Sequence, residues 1–156
     1  MSFSMFAALA LAPAPAASPQ PQASAPAVDY SVATPIGGDW TYTATADGSE
    51  ATFVGAGSQP QITIGCTRAT RRVALAKPAS AAAPFLSIWT STQSRNAPAS
   101  FNPATARLTA EFGAFDPLLD AIAFSHGRVA FSVGSAPALV VPSWSEISRV
   151  IEDCRT

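Results

Sequence analysis

Trp40-Thr41-Tyr42-Thr43-Ala44-Thr45-Ala46-Asp47-Gly48 is the stretch on which the fold turns. Successive side chains of a strand point to opposite faces, so Trp40, Tyr42 and Ala44 share one face and the threonines the other. That pattern is a half-buried strand. Asp47-Gly48 then supplies a tight hairpin turn, and Ala51 and Phe53 carry the inward face along the return strand.

Reading outward, the same alternation recurs. Gly55, Gly57 and Pro60 break the chain, after which Ile62, Ile64 and Cys66 share one face of a third strand. Val73 and Leu75 mark a fourth, Phe85 to Thr92 a fifth that contains Trp89. Ala106 to Phe112 is a sixth, with Leu108, Ala110 and Phe112 pointing in. Val129, Phe131 and Val133 make a seventh, and Leu139 to Val141 an eighth beyond the turn at Gly134 to Pro137.

Helical signals interrupt the series twice. Asp116-Pro117 places a capping acid before a proline at the first helical position, with Leu118, Leu119, Ile122 and Ala123 as the apolar side and Gly127 after it. Ser143-x-x-Glu146 has the form of a capping box. Trp144, Ile147, Ile151 and Cys154 follow at spacings that fall on one helical face. About eight short strands with regular turns predict a mainly β (α+β) fold. The expected form is an antiparallel sandwich or barrel with one short internal helix and a C-terminal helix, spanning residues 39–156 as a single domain.

The chain before that domain reads differently. Phe3 to Ala12 is apolar, ended by Pro13, and is too short for the ~20 residues of a membrane span. Ala14-Pro15-Ala16 provides an A-x-A cleavage site, so residues 1–16 are expected to be a signal peptide, although no Lys or Arg precedes the apolar run. Residues 17–38, rich in Pro and Ala, are expected to be a disordered linker. No transmembrane segment is expected after processing.

Charge excludes one broad class. The 9 Lys and Arg residues against 10 Asp and Glu give a net charge of −1. A general nucleic-acid binder needs a basic surface to neutralise phosphate, so nucleic acid is not an expected partner.

Cys66 and Cys154 are the only cysteines. One sits on the inward face of a strand and the other on the inward face of a helix, so both thiols aim at the core. In an oxidising compartment they are expected to form a disulfide. Buried free thiols, an intermolecular bond and a redox pair are the alternatives; the last usually takes C-x-x-C spacing, which is absent.

Few residues point to chemistry. His126 is the single histidine, flanked by Ser125 and preceded by Asp116 and Asp120. Adjacent helical residues diverge by about 100°, so Ser125 and His126 do not pair readily, and His126 reads as a helix C-terminal residue. No catalytic residue, cofactor or metal site is assigned. Arg68, Arg71 and Arg72 read as a solvated or locally paired cluster, and the tryptophans as core residues. The longest connection expected in the domain is Thr92 to Thr105, where Phe101 sits among Arg95, Asn96 and Asn102. An aromatic anchor beside such groups is a candidate contact for a protein partner.

The segments Gly38-Asp39-Trp40, ITIGC at 62–66, DPLLDAIAFSHGRVAF at 116–131 and PSWSEISRVIEDCR at 142–155 resemble a family of secreted proteins from Gram-negative bacteria. More loosely, an early Trp, a mid-chain strand Cys and a C-terminal helix ending in Cys are similar to two envelope families. These are the invasion-associated locus B proteins and a periplasmic protein found with type VI secretion clusters. The resemblance implies an exported β-rich domain without known catalysis and carries over no functional residue. The expected function is therefore a non-enzymatic secreted or periplasmic role, binding or supporting a protein or other envelope component. The alternative is a hydrolase whose site assembles from scattered carboxylates and hydroxyls.

Overall fold

The Trp40 hairpin forms as its alternation requires. In the computed structural model, which describes residues 29–156, β1 (Gly38–Ala44) pairs antiparallel with β2 (Gly48–Gly55), Trp40 opposite Phe53 and Tyr42 opposite Ala51. The expected signal peptide and the first part of the expected linker lie outside the described residues. Gly48 opens β2 because a Cβ there would run into the backbone carbonyl of Cys66 on the neighbouring strand.

The chain continues through β3 (Pro60–Thr67), β4 (Arg72–Pro78), β5 (Phe85–Trp89), β6 (Ser94–Asn102), β7 (Arg107–Gly113), α1 (Pro117–Ala123), β8 (Val129–Val133), β9 (Leu139–Val141) and α2 (Ser145–Asp153). The nine strands form one sheet in the order β1-β2-β3-β4-β7-β6-β5-β8-β9, every neighbouring pair antiparallel. Of the sandwich or barrel expected, the sheet takes the barrel side: it is a single curled sheet, a half-barrel. The curl brings its two ends together. Ile36 N–H donates to the Val140 carbonyl at 2.9 Å and Trp40 Nε1 to the Pro142 carbonyl at 2.8 Å.

The inward-facing positions of the strands make the core. Phe53, Ile62, Ile64, Leu75, Leu86, Ile88, Leu108 and Phe131 are fully buried, together with Leu118, Leu119 and Ile122 of α1 and Ile147, Val150 and Ile151 of α2. Each such side chain adds ~1.5–3 kcal/mol of burial, which is what holds α2 across β1, β2 and β3. Cys66 and Cys154 form a disulfide with Cα atoms 5.5 Å apart, fastening β3 to the end of α2. No helix among the described residues is long and apolar enough to cross a membrane.

Three local expectations are corrected. The long loop from Thr92 to Thr105 is for the most part β6, a central strand. Arg95, Ala97, Ala99 and Phe101 alternate along one of its faces, but the small side chains and Pro98 mask the signal. Pro98 is tolerated because the pairing switches there: Ser94 to Pro98 face β5, while Ala99 to Asn102 face β7. Ser143 is not the N-cap of α2; Trp144 is, without a side-chain capping bond. The Ser143 hydroxyl instead donates to Ile122 O at 3.0 Å, joining Ser125 N–H on a carbonyl at the C-terminal end of α1. Trp144 is 42% exposed rather than in the core.

Candidate functional site

The residues expected to form a partner contact are used within the sheet. Arg95 binds Asp116. Asn96 accepts from the Ser87 hydroxyl at 2.8 Å, and Asn102 accepts from Ala104 N–H at 2.9 Å. Phe101 is half-buried against the core. Arg95 and Phe101 stand six residues apart on one extended strand, about 20 Å at 3.3 Å per residue, so they do not gather round one anchor.

The carboxylates are similarly engaged. Asp116 is the N-cap of α1, accepting from Leu118 N–H at 2.8 Å. Asp120 meets Arg155 at 2.7 Å, Glu152 the same arginine at 3.0 Å, and Asp153 accepts from the Tyr42 hydroxyl at 2.7 Å. Asp116 and Asp120, neighbours in sequence, are thereby tied to different arginines. Among the described residues no three His, Cys, Asp or Glu side chains cluster as metal ligands. Of the basic cluster, Arg72 reaches Glu111 at 3.5 Å on the exposed sheet face.

A different constellation emerges at the Trp89 end of β5. Leu86 and Ile88 point inward, which puts Trp89 on the opposite face, where the Tyr30 ring packs against it with centroids 4.5 Å apart. Residues 29–37, expected to end a disordered linker, thus lie against the domain. The turn after β5 is fixed by Thr90, whose N–H and hydroxyl both donate to Gln93 O at 2.9 Å. Ser91 is then clasped to the segment leading into β8: its N–H donates to Ser125 Oγ at 2.9 Å, and its Oγ accepts from His126 N–H at 3.1 Å. Buried Ser125 donates in turn to the Arg128 carbonyl. These bonds explain why Ser125 and His126 form no catalytic pair: the hydroxyl is consumed in joining two loops. α1 also ends at Ala123, so His126 lies beyond the helix rather than in its last turn.

The result is a cleft of about 250 Å³ bounded by Tyr30, Trp89, Ser91, His126 and Arg128. The Arg128 guanidinium donates from Nη1 to Ala33 O at 2.6 Å, while its Nε is buried without a partner among the described residues. Among the described residues no carboxylate lines the cleft. A larger depression of about 550 Å³ beside Ile36, Gly38 and Gly55 carries Asp39 as its one ionisable group, so it offers volume without converging chemistry.

Sequence reading singled out Trp89 and His126 separately and missed the cleft. Its members come from residues 30, 89–91 and 126–128, which no periodicity links. The nearest local signal is His126-Gly127-Arg128, two cationic-type side chains about a glycine with φ of 75°. No protein-family model matches the chain, and no curated protein or solved structure is significantly similar to it.

Proposed function

We propose that the protein is an exported accessory protein of the bacterial cell envelope that acts by binding rather than by catalysis. The observation that carries this reading is the cleft at Trp89 and Arg128. It joins an aromatic face, hydroxyl groups and one half-buried cation, a combination suited to holding a ligand. A hydrolase of the glycosidase type would instead need two carboxylates facing each other across a cleft. Asp116 and Asp120, the pair clustered in sequence, are held by Arg95 and Arg155. Export is supported by the apolar run that Pro13 ends and the A-x-A site after it, and the Cys66–Cys154 disulfide is compatible with an oxidising compartment.

The test incubates the purified domain with envelope extract and follows retained and altered compounds by mass spectrometry. Unaltered molecules retained by the wild type and lost with Trp89→Ala support the reading. Products accumulating with time under turnover overturn its binding half. Recovery of a reduced, unprocessed chain from the cytosol overturns its export half.

A further inference from the structure

We propose that the cleft at Arg128 receives a small anionic group, a carboxylate or phosphate, attached to an apolar body that lies against Trp89. The proposal rests on the binding reading and gives it a ligand class.

Among the described residues the cleft is lined by one arginine and one histidine and by no acid. Arg128 is half-buried, makes no ion pair with any described residue, and has only the Ala33 carbonyl as partner for its five N–H groups. Its Nε is removed from solvent without any acceptor among the described residues. A partly desolvated guanidinium in that state is costly, and an anion at its remaining edge supplies the charge-assisted bonds that offset the cost. Arg72, Arg95 and Arg155, in contrast, already hold carboxylates.

Ser91 Oγ is occupied as an acceptor by His126 N–H, and its own proton has no acceptor among the described residues. The bond that positions Ser91 therefore leaves it a donor. Donors without acceptors select a ligand oxygen that only accepts, and the charge of Arg128 favours an anionic oxygen over a neutral carbonyl.

About 250 Å³ is below the ~300–1,000 Å³ of sites that enclose a drug-sized molecule, so the cleft takes a small ligand or the end of a larger one. A second depression of about 280 Å³ continues past the Tyr30–Trp89 pair to Asp29 and Gln93. Asp29 makes that end unfavourable for a second negative charge. The anionic head is thus assigned to Arg128 and the uncharged body to the aromatic pair.

The experiment titrates the ¹⁵N-labelled domain with 3-phenylpropionate, phenyl phosphate and the neutral 3-phenylpropanol, reading the Trp89 indole N–H and the Arg128 Nε–H signals. The expected result is saturable shifts of both signals with at least one anion, and binding of the alcohol at least about tenfold weaker. Whichever anion binds more tightly identifies the head group as carboxylate or phosphate. Arg128→Gln should weaken the anion about tenfold or more, and Arg128→Lys, which keeps the charge, should recover part of that loss. Arg107→Gln, which removes a cation bonded to Thr63 elsewhere on the sheet, should leave affinity unchanged. Equal binding of the alcohol and the anions, or an Arg128→Gln domain that stays folded and binds like the wild type, overturns the anion assignment while the binding reading stands. Absence of saturable shifts with every probe overturns it too, and the extract experiment then decides the binding reading by itself.

Discussion

One guanidinium nitrogen of Arg95, on β6, lies 2.9 Å from each carboxylate oxygen of Asp116, the residue that caps α1. Sheet and helix share a single carboxylate. Burial works to raise the Asp116 pKa, but the Arg95 and Leu118 hydrogen bonds and the Arg95 charge outweigh it, holding the carboxyl below its ordinary 3.8. A carboxyl depressed in the folded state contributes stability that is present above the unfolded pKa and lost as pH falls through the folded one. Asp116→Asn keeps a capping oxygen and loses the charge, so it should cost less than ~1 kcal/mol at neutral pH, the pair being partly exposed. Asp116→Ala loses the cap as well and should cost ~1–2 kcal/mol. Urea unfolding at neutral pH and again well below pH 3.8 checks this. The gap between wild type and Asp116→Asn should close in acid, and a gap that persists unchanged would show that the ion pair is not its source.

Gly48 answers to sterics rather than to turn chemistry alone. Alanine at this position would drive its Cβ into the Cys66 carbonyl, forcing β2 and β3 apart beside the disulfide. Gly48→Ala should therefore destabilise by ~1–3 kcal/mol. Gly65, on β3, has nothing within 4 Å of an added Cβ. Gly65→Ala should stay within ~0.5 kcal/mol of the wild type. Thermal melts of the two variants side by side decide the matter, and equal costs would refute the steric account.

Cys66 and Cys154 are 88 residues apart in sequence. Closing so long a loop restricts the unfolded chain by ~4–5 kcal/mol in the entropic model, and native disulfides of small domains deliver ~2–5 kcal/mol. Replacing both by alanine should lower stability within that range, measured by denaturant unfolding against the oxidised wild type. Peptide mapping without reductant should recover the two cysteine peptides joined; two freely alkylated thiols would contradict the pairing.

Much of this fold was legible because its signals are local or periodic. The Trp40 hairpin, the Asp116-Pro117 helix start and the inward aim of both cysteines each rest on residues a few positions apart. Trp144 misled because helical spacing from Ile147 was extended onto a residue whose backbone is extended, with φ −108° and ψ 169°, so it does not share the helical face. Ser143 misled because a hydroxyl before a helix has more than one open backbone group to satisfy, and here a carbonyl of α1 took it. β6 was hidden because Ala97 and Ala99 carry too little apolar surface to mark a face. The cleft at Arg128 was hidden for a deeper reason: hydrogen bonds between distant loops position it, and those bonds follow from the completed sheet.

Phe101 shows what the strand assignment changes. On β6 it stands opposite Leu108 of β7 and packs against the core, half-buried. Phe101→Ala should cost ~1–3 kcal/mol, less than the ~3–5 kcal/mol of a fully enclosed phenylalanine. Chemical denaturation gives the cost directly. A loss below ~0.5 kcal/mol would mean that the ring contributes little to the sheet and would restore its candidacy as a contact residue.

β1 and β9 are linked through Ile36 N–H to Val140 O and Trp40 Nε1 to Pro142 O, with no β-ladder between them. Trp40 is 5% exposed and its ring lies 5.4 Å from that of Phe53, so it serves the core and the junction at once. Trp40→Phe keeps an aromatic ring while deleting the indole donor. It should cost ~1–2 kcal/mol, the range for a hydrogen bond whose partly buried acceptor is left open. Trp40→Ala removes the ring too and should cost ~3–5 kcal/mol. The junction role makes a sharper demand on hydrogen exchange. In Trp40→Phe the Ile36 amide and the amides of the β8–β9 ladder should lose more protection than the global destabilisation explains, because the sheet end can open locally. Amides in the β3–β4 ladder should lose only the global amount. Uniform loss of protection across both ladders would show that Trp40 acts through the core alone, and that the half-barrel does not depend on this indole to hold its ends together.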